Sequence, residues 1–231
     1  MVKAKTTFFI FSFFIASIPT VVSQTITLPN YALKSHPTLE IKKIETTSSS
    51  TTFYLSIENQ IEGGSFCADK NIYIIFPDGT RSKMIYSNSI PVCPDTYKFK
   101  TIGEKLDFTL SFPAVAAGIQ WVDLREDCTD NCFSFYGVTL DNDLNKKIDE
   151  AYSMAEKGEL SKAVTLYIGI LENIDALNYG VEGALYTDLI SLAKDSGDDT
   201  TASVWYKKLL LSNAPRLEVY IKNLNSRGIK Y

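Results

Sequence analysis

The spacing of apolar residues along the chain changes at Leu140, and this change limits the possible folds more than any other feature. Before Leu140, apolar and polar residues alternate, most regularly over residues 106–112, as they do in half-buried strands. After Leu140, apolar residues recur at the spacing of an amphipathic helix. The pattern predicts an α+β protein of two domains, a β domain in residues 24–140 and a helical domain in residues 141–231.

The β domain contains seven or eight short segments with strand character, separated by turn residues. Residues 24–36 are expected to form an extended lead-in, and residues 77–80 a tight turn between two strands of a hairpin. Many short strands spaced by turns favour an antiparallel β-sandwich of immunoglobulin-like shape.

The order of segments in the β domain resembles a β-sandwich module of uncharacterised exported proteins of Gram-negative bacteria. The resemblance rests on residues 51–57, 78–80, 106–113, 121–126 and 133–140. It implies a protein of the cell envelope, and it supplies no functional residues.

The helical domain contains a repeat. Gly158, Ala163 and Tyr167 recur 39 residues later as Gly197, Ala202 and Tyr206. In this order the residues resemble the tetratricopeptide repeat, which implies a TPR-like pair of helical hairpins over residues 144–216, with an inter-repeat loop longer than usual. A plain four-helix arrangement is the alternative. Two repeats are fewer than the three usually needed, so further packing must come from the β domain, the C-terminal tail or a partner chain.

The N-terminus has the pattern of a secretory signal peptide. Lys3 and Lys5 precede an apolar run over residues 8–18, and Ser23 ends a stretch suited to signal peptidase. We expect residues 1–23 to be cleaved and the mature protein to be soluble, in the periplasm or outside the cell. An anchoring helix is the alternative, but the run is shorter than the roughly 20 residues that span a bilayer. No later stretch is long and apolar enough to span a membrane.

The chain has four cysteines, an even number that suits an oxidising compartment. Three pairings are possible, and we favour a local bridge, Cys128–Cys132, with a longer one, Cys67–Cys93. A four-cysteine zinc site is the alternative. Such sites normally contain two closely spaced cysteine pairs, and Cys67 and Cys93 stand 26 residues apart.

Composition argues against several classes of function. The net charge is −4 and no basic cluster exceeds two lysines, so we expect no nucleic-acid partner. His36 is the only histidine, which removes histidine-based triads from the β and helical segments. With the cysteines oxidised, thiol nucleophiles are also disfavoured. We expect a protein that is not an enzyme and needs no cofactor or metal.

Two alternatives remain for the acidic residues near the short disulfide loop. Asp123, Glu126, Asp127 and Asp130 are expected to form a solvated acidic loop. Asp127 and Asp130 are weak calcium candidates, which would make the β domain a calcium-, glycan- or ligand-binding module. A carboxylate-based hydrolase would need one of these carboxyls in an apolar pocket.

Aromatic residues are frequent in the helical domain, and exposed tyrosine and tryptophan are favoured interface anchors. The leading hypothesis is therefore a module for protein–protein contact in the bacterial cell envelope, with a protein or peptide partner. The candidate partner-binding residues are Tyr152, Tyr167, Tyr186, Trp205 and Tyr206.

Overall fold

The computed structural model describes residues 23–231. Antiparallel β-sheets are followed by five α-helices in this part of the chain, which confirms the predicted α+β class. The last strand ends at Thr139 and the first helix begins at Asn142. All but the last residue of the predicted signal peptide lies outside the described residues. Within residues 23–231, no helix is both long and apolar enough to cross a membrane.

The strands form two five-stranded sheets and one small sheet. Their bounds are β1 (Gln24–Thr27), β2 (Leu33–Lys34), β3 (Leu39–Thr46), β4 (Ser50–Glu58), β5 (Ser65–Phe66), β6 (Ile72–Ile75), β7 (Arg81–Lys83), β8 (Tyr86–Asn88), β9 (Tyr97–Lys98), β10 (Lys105–Pro113), β11 (Trp121–Glu126) and β12 (Ser134–Thr139). The five-stranded sheets have the orders β1-β3-β4-β10-β8 and β2-β12-β11-β6-β7, and β5 pairs with β9. All of these strand pairs are antiparallel.

Strand β10 shows how the alternating sequence is used. Leu106, Phe108 and Leu110 are buried, while the polar residues between them face outward. Phe53 of β4 and Phe112 of β10 meet edge to face, with ring centroids 5.7 Å apart. Buried side chains from both five-stranded sheets belong to this one hydrophobic core.

The predicted lead-in contains two short strands. Strand β1 pairs with β3 and places Ile26 in the core, and β2 pairs with β12. Strands of four and two residues are too short to show a period in the sequence, so burial of a single isoleucine and pairing with a longer strand determine their conformation.

Two disulfides join Cys67 to Cys93 and Cys128 to Cys132, the pairing that the sequence favours. The Cα atoms are 5.4 and 5.6 Å apart, respectively, within the normal range for a disulfide. In a chain-entropy estimate, the longer loop stabilises the fold by about 3.5 kcal/mol and the short loop by about 2 kcal/mol. The short bridge therefore contributes less to the stability of the fold.

The helices are α1 (Asn142–Glu156), α2 (Leu160–Asn173), α3 (Tyr179–Asp195), α4 (Asp199–Leu211) and α5 (Leu217–Ser226). The α1 N-cap is Asp141, since the extended backbone at Asp141 lets its Oδ1 accept from the amides of Asp143 and Leu144. Gly158 and Gly197 follow α1 and α3 with φ values of 77° and 82°, a conformation that favours glycine after a helix.

The recurring residues of the helical half occupy equivalent buried positions. Ala163 and Ala202 are fully buried, and Tyr167 and Tyr206 lie in the same helical core. Helix α5 completes this core with Tyr220, whose ring lies against the backbone of α3 where a glycine provides the space. Helix α5 thus supplies part of the packing of the helical core.

Candidate functional site

Two glycines let the helical half rest directly on the β half. Gly137 lies on β12 and Gly180 in the first turn of α3. A Cβ atom at Gly137 would lie 2.1 Å from the carbonyl oxygen of Gly180, and a Cβ atom at Gly180 would lie 2.4 Å from the Trp121 ring. Neither position has space for a larger side chain, so α3 contacts β12 and Trp121 at backbone distance.

A buried ion pair crosses the same junction. Asp123 Oδ1 accepts a hydrogen bond from the Gly137 amide at 2.7 Å, and Asp123 Oδ2 lies 3.2 Å from Nη1 of Arg216. The Arg216 guanidinium also lies 4.5 Å from the ring centroid of Tyr136. Arg216 precedes α5 with φ 64°, a backbone conformation that a non-glycine residue keeps only when its surroundings hold it. We call Asp123 and Arg216 the junction ion pair.

Burial dominates the electrostatics of the junction ion pair. Asp123 is 7% exposed, and desolvation raises the pKa of its carboxyl although the Gly137 amide and Arg216 both act to lower it. Among the described residues, Nε and Nη2 of Arg216 are buried without a hydrogen-bond partner. The sequence places Asp123 in a solvated acidic loop, and this expectation is corrected because Asp123 lies on β11, facing the helical half.

Side-chain amides add directional bonds between the halves. Asn145 of α1 accepts from the backbone amide of Asn30 at 2.7 Å and donates to the carbonyl oxygen of Thr139. These bonds, with the glycine contact and the junction ion pair, hold the two halves in one orientation.

A cleft of about 510 Å³ opens beside this junction, and we call it the junction cleft. The β half contributes Pro77, Ile119 and Trp121, and the helical half contributes Leu177, Tyr179 and Pro215. Leu177 is 57% exposed and Tyr179 is 37% exposed, so the cleft presents apolar surface to solvent. Its size falls within the range of about 300–1,000 Å³ that is typical of ligand pockets.

The chemistry of the junction cleft suits binding more than proton transfer. Its polar side chains include Asp78, Gln120 and Asn213, and of the described residues that line it only Asp78 and Tyr179 are ionisable. Hydrogen bonds from Thr80 hold the pKa of Asp78 below its usual range. A lining of apolar and aromatic side chains with a few polar groups is typical of a ligand-binding site.

The residues of this site are only weakly marked in the sequence. Leu177 and Arg216 belong to no pattern that distinguishes them from ordinary surface residues. Gly180 and Gly183 do carry a signal, because both lie in α3 although glycine weakens a helix by about 1 kcal/mol. Two glycines within one helical turn indicate close packing against a neighbouring element.

The structure buries most of the aromatic residues proposed to meet a partner. Tyr167, Tyr186, Trp205 and Tyr206 lie between helices, where the rings of Tyr186 and Trp205 are 5.8 Å apart. These four side chains are buried because the apolar stripe that forms each helix also turns them into the core. Tyr152 remains 57% exposed on α1.

The acidic residues near the short disulfide do not form one cluster. Asp127 is exposed and forms an ion pair with Arg81 at 3.0 Å, and Asp130 is exposed on the loop. Glu126 is buried at the end of β11, contrary to its expected place in a solvated loop. Within residues 23–231, no three His, Cys, Asp or Glu side chains are grouped so that they can hold a metal ion.

Three buried carboxyl groups make stability depend on pH. Burial raises the pKa of Asp123, Glu126 and Glu182. The folded protein holds these protons to higher pH than the unfolded chain does. Folding therefore becomes less favourable as the pH rises from about 4 through the folded pKa values. His36, whose pKa is lowered by burial, acts in the opposite direction.

We expect the midpoint of urea unfolding to be higher at about pH 5 than at about pH 7.5. Glu182→Gln should weaken this dependence because its amide does not ionise, whereas Asp107→Asn, at an exposed position of β10, should leave it unchanged. Fluorescence of the two tryptophans follows the transition. A midpoint that rises steadily between these pH values would contradict the expectation.

Comparison with protein-family models, with curated proteins and with solved structures finds no match.

Proposed function

We propose that this protein is a non-enzymatic binding protein of the bacterial cell envelope that holds a segment of a protein partner in its junction cleft. One observation carries the proposal: exposed Leu177 and Tyr179 of the helical half line one cleft with Trp121 of the β half. Tryptophan and tyrosine are the side chains most enriched among the residues that dominate binding energy at interfaces. A cleft fixed in advance also lowers the ordering cost of binding.

The proposal includes a finer description of the fold. The β half is an immunoglobulin-like β-sandwich, a description supported by the single core that both five-stranded sheets share. The helical half is a TPR-like pair of hairpins, which the equivalent burial of Ala163 and Ala202 supports. Helix α5 takes the place of a third repeat by covering the exposed side of the second.

The proposed location is the periplasm or the cell exterior. The two disulfides support it, because disulfides persist in oxidising compartments and are rare in the cytosol. The signal-peptide pattern of residues 1–23 is the second support. The resemblance of the β half to exported bacterial modules is the third.

A peptide segment fits the cleft better than a charged small molecule. Prolines and aromatic side chains from both halves provide flat apolar surface, and the carboxylate of Asp78 is the fixed charge at the edge. Aromatic-lined grooves of this type bind extended, proline-rich peptide segments, which lose little conformational freedom on binding. We therefore expect the bound segment to contain proline or other apolar residues.

Selection of a random peptide library against the full-length mature chain should enrich peptides that bind this cleft. The double variant Leu177→Ser, Tyr179→Ser should weaken their binding at least about tenfold, because both side chains act as apolar anchors. The matched control is Leu211→Ser, Tyr152→Ser, which removes the same residue types from exposed positions on α4 and α1. Affinities are measured by calorimetry at one fixed salt concentration.

Each outcome bears on the proposal. Peptides that lose affinity only for the cleft variant support it. Peptides that lose affinity only for the control variant would move the site to α1 or α4 and overturn the cleft. A library that yields no binding peptide argues against peptide recognition.

A further inference from the structure

The two disulfides and a buried carboxyl lie around one depression, which we call the disulfide depression. It has a volume of about 310 Å³, and its lining includes Cys67, Cys93, Cys128 and Glu126. All four half-cystines are partly exposed. It shares no residue with the junction cleft.

Glu126 is placed directly beside one of these sulfurs. Its Oε1 accepts from the Asp69 amide at 2.6 Å, and its Oε2 accepts from the Phe133 amide at 3.1 Å. The same Oε2 lies 4.0 Å from Sγ of Cys128. Glu126 is 8% exposed, and burial raises the pKa of its carboxyl although the two amides act to lower it. A carboxyl group that keeps its proton to a higher pH than an ordinary glutamate thus lies next to a disulfide sulfur.

The two disulfides differ in how much they stabilise the fold. Cys67–Cys93 closes a sequence separation of 26 residues, whereas Cys128–Cys132 closes a separation of 4 and restricts the unfolded chain much less. Glu126 lies next to Cys128 at one end of the short bridge. At the other end, the Oγ atom of Ser35 donates to the Cys132 carbonyl oxygen and lies 2.8 Å from Nδ1 of His36.

We propose that Cys128–Cys132 is a reactive disulfide that exchanges electrons with dithiols, and that Glu126 donates a proton to Cys128 when the bridge opens and accepts it when the bridge closes. This activity lies outside the proposed peptide recognition, and neither depends on the other.

The exchange proceeds in two balanced steps. A thiolate of the external dithiol attacks Sγ of Cys132, a mixed disulfide forms, and the bond to Cys128 breaks. Cys128 leaves as a thiolate and takes the proton of the Glu126 carboxyl. The second thiol of the dithiol then attacks the dithiol's own sulfur in the mixed disulfide and the bond to Cys132 breaks. Cys132 leaves as a thiolate and takes the proton that the second thiol releases. Two electrons pass from the dithiol to the protein, which ends with two reduced cysteines, while the dithiol becomes a disulfide.

The neighbouring charges make this proton transfer sensitive to pH. Asp69 raises the pKa of Glu126 further through its negative charge. The other titratable or charged groups near Glu126 and the short bridge are Arg81, Arg125, Asp127, Asp130 and His36. Once Glu126 is ionised, it has no proton to give, and its charge opposes the developing thiolate 4.0 Å away. The reduction of Cys128–Cys132 should therefore become slower, relative to the reduction of Cys67–Cys93, as Glu126 ionises.

The test uses dithiothreitol on the full-length mature protein, with free thiols trapped by alkylation at timed intervals and located by peptide mass mapping. We expect Cys128–Cys132 to be reduced at least about tenfold faster than Cys67–Cys93. The ratio of the two rates cancels the ionisation of dithiothreitol itself. This ratio should fall as the pH rises through the pKa of Glu126.

Two variants distinguish a proton-transfer role of Glu126 from a purely structural one. Glu126→Gln should remove the pH dependence of the ratio, while Asp130→Asn, a carboxyl on the same loop, should keep it. A ratio that is constant with pH in the unmodified protein would overturn the role of Glu126, even if Glu126→Gln fails to fold. Reduction of Cys67–Cys93 first, or of both bridges at the same rate, would overturn the reactive disulfide itself.

Discussion

Replacing Gly137 by alanine is expected to destabilise the protein by at least about 3 kcal/mol, since overpacking and backbone strain act together at this position. Gly137 has φ 61°, in the left-handed region where a Cβ atom is unfavourable. The same Cβ atom would lie 2.1 Å from the carbonyl oxygen of Gly180 and 2.6 Å from its carbonyl carbon. Both are backbone atoms, so relief requires α3 to move away from β12. Urea unfolding followed by tryptophan fluorescence measures the loss.

Gly103→Ala is the matched control for this variant. Gly103 has φ 82°, also in the left-handed region, but no atom lies within 4 Å of the added Cβ position. Gly103→Ala should therefore destabilise the protein only through backbone strain, by about 1–2 kcal/mol. Equal losses for the two variants would show that the clash with Gly180 contributes nothing and that the halves tolerate separation.

Arg216→Met is expected to cost about 3 kcal/mol at neutral pH, because removal of one partner leaves a buried charge uncompensated. The Asp123 side chain is only 10% exposed, so solvent can screen it little after Arg216 is gone. Desolvation already outweighs the attraction within the pair and raises the pKa of Asp123. The unpaired carboxyl should then protonate more readily, and the loss should shrink as the pH falls toward about 4.

The double variant Asp123→Asn, Arg216→Met tests whether the cost comes from the unpaired charge. Asparagine keeps an oxygen that can accept from the Gly137 amide, and it carries no charge. We expect the double variant to be more stable than Arg216→Met alone, as is common when both members of a buried pair are removed. Strictly additive losses would instead indicate that Arg216 acts through its packing on Tyr136.

Local rules account for the parts of the fold that the sequence predicts. Alternation in residues 106–112 needs only one buried face, and β10 has that face. Gly158 and Gly197 end helices through their own backbone preference, which neighbouring residues in the chain are enough to reveal. The disulfide pairing follows in part from proximity in sequence, since Cys128 and Cys132 are separated by only 4 residues.

The candidate site depends on contacts that no local rule contains. Asp123 and Arg216 are 93 residues apart in the chain, and nothing in the sequence around either residue identifies the other. A run of acidic residues predicts a solvated loop, but Asp123 and Glu126 lie on β11 and are buried. Helical periodicity likewise shows which face of a helix is apolar but not which element covers it, so the exposure of each aromatic side chain could not be predicted from the sequence.

The direct contact between the backbones of Gly137 and Gly180 also joins the two halves energetically. Neither half can unfold without exposing packing surface of the other, so the sheets and the helices should melt as one cooperative unit. In the proposed function, a partner held between Trp121 and Tyr179 would bind only when both halves are folded. By thermodynamic linkage, its occupancy would then protect both halves from unfolding and proteolysis, including regions far from the bound segment.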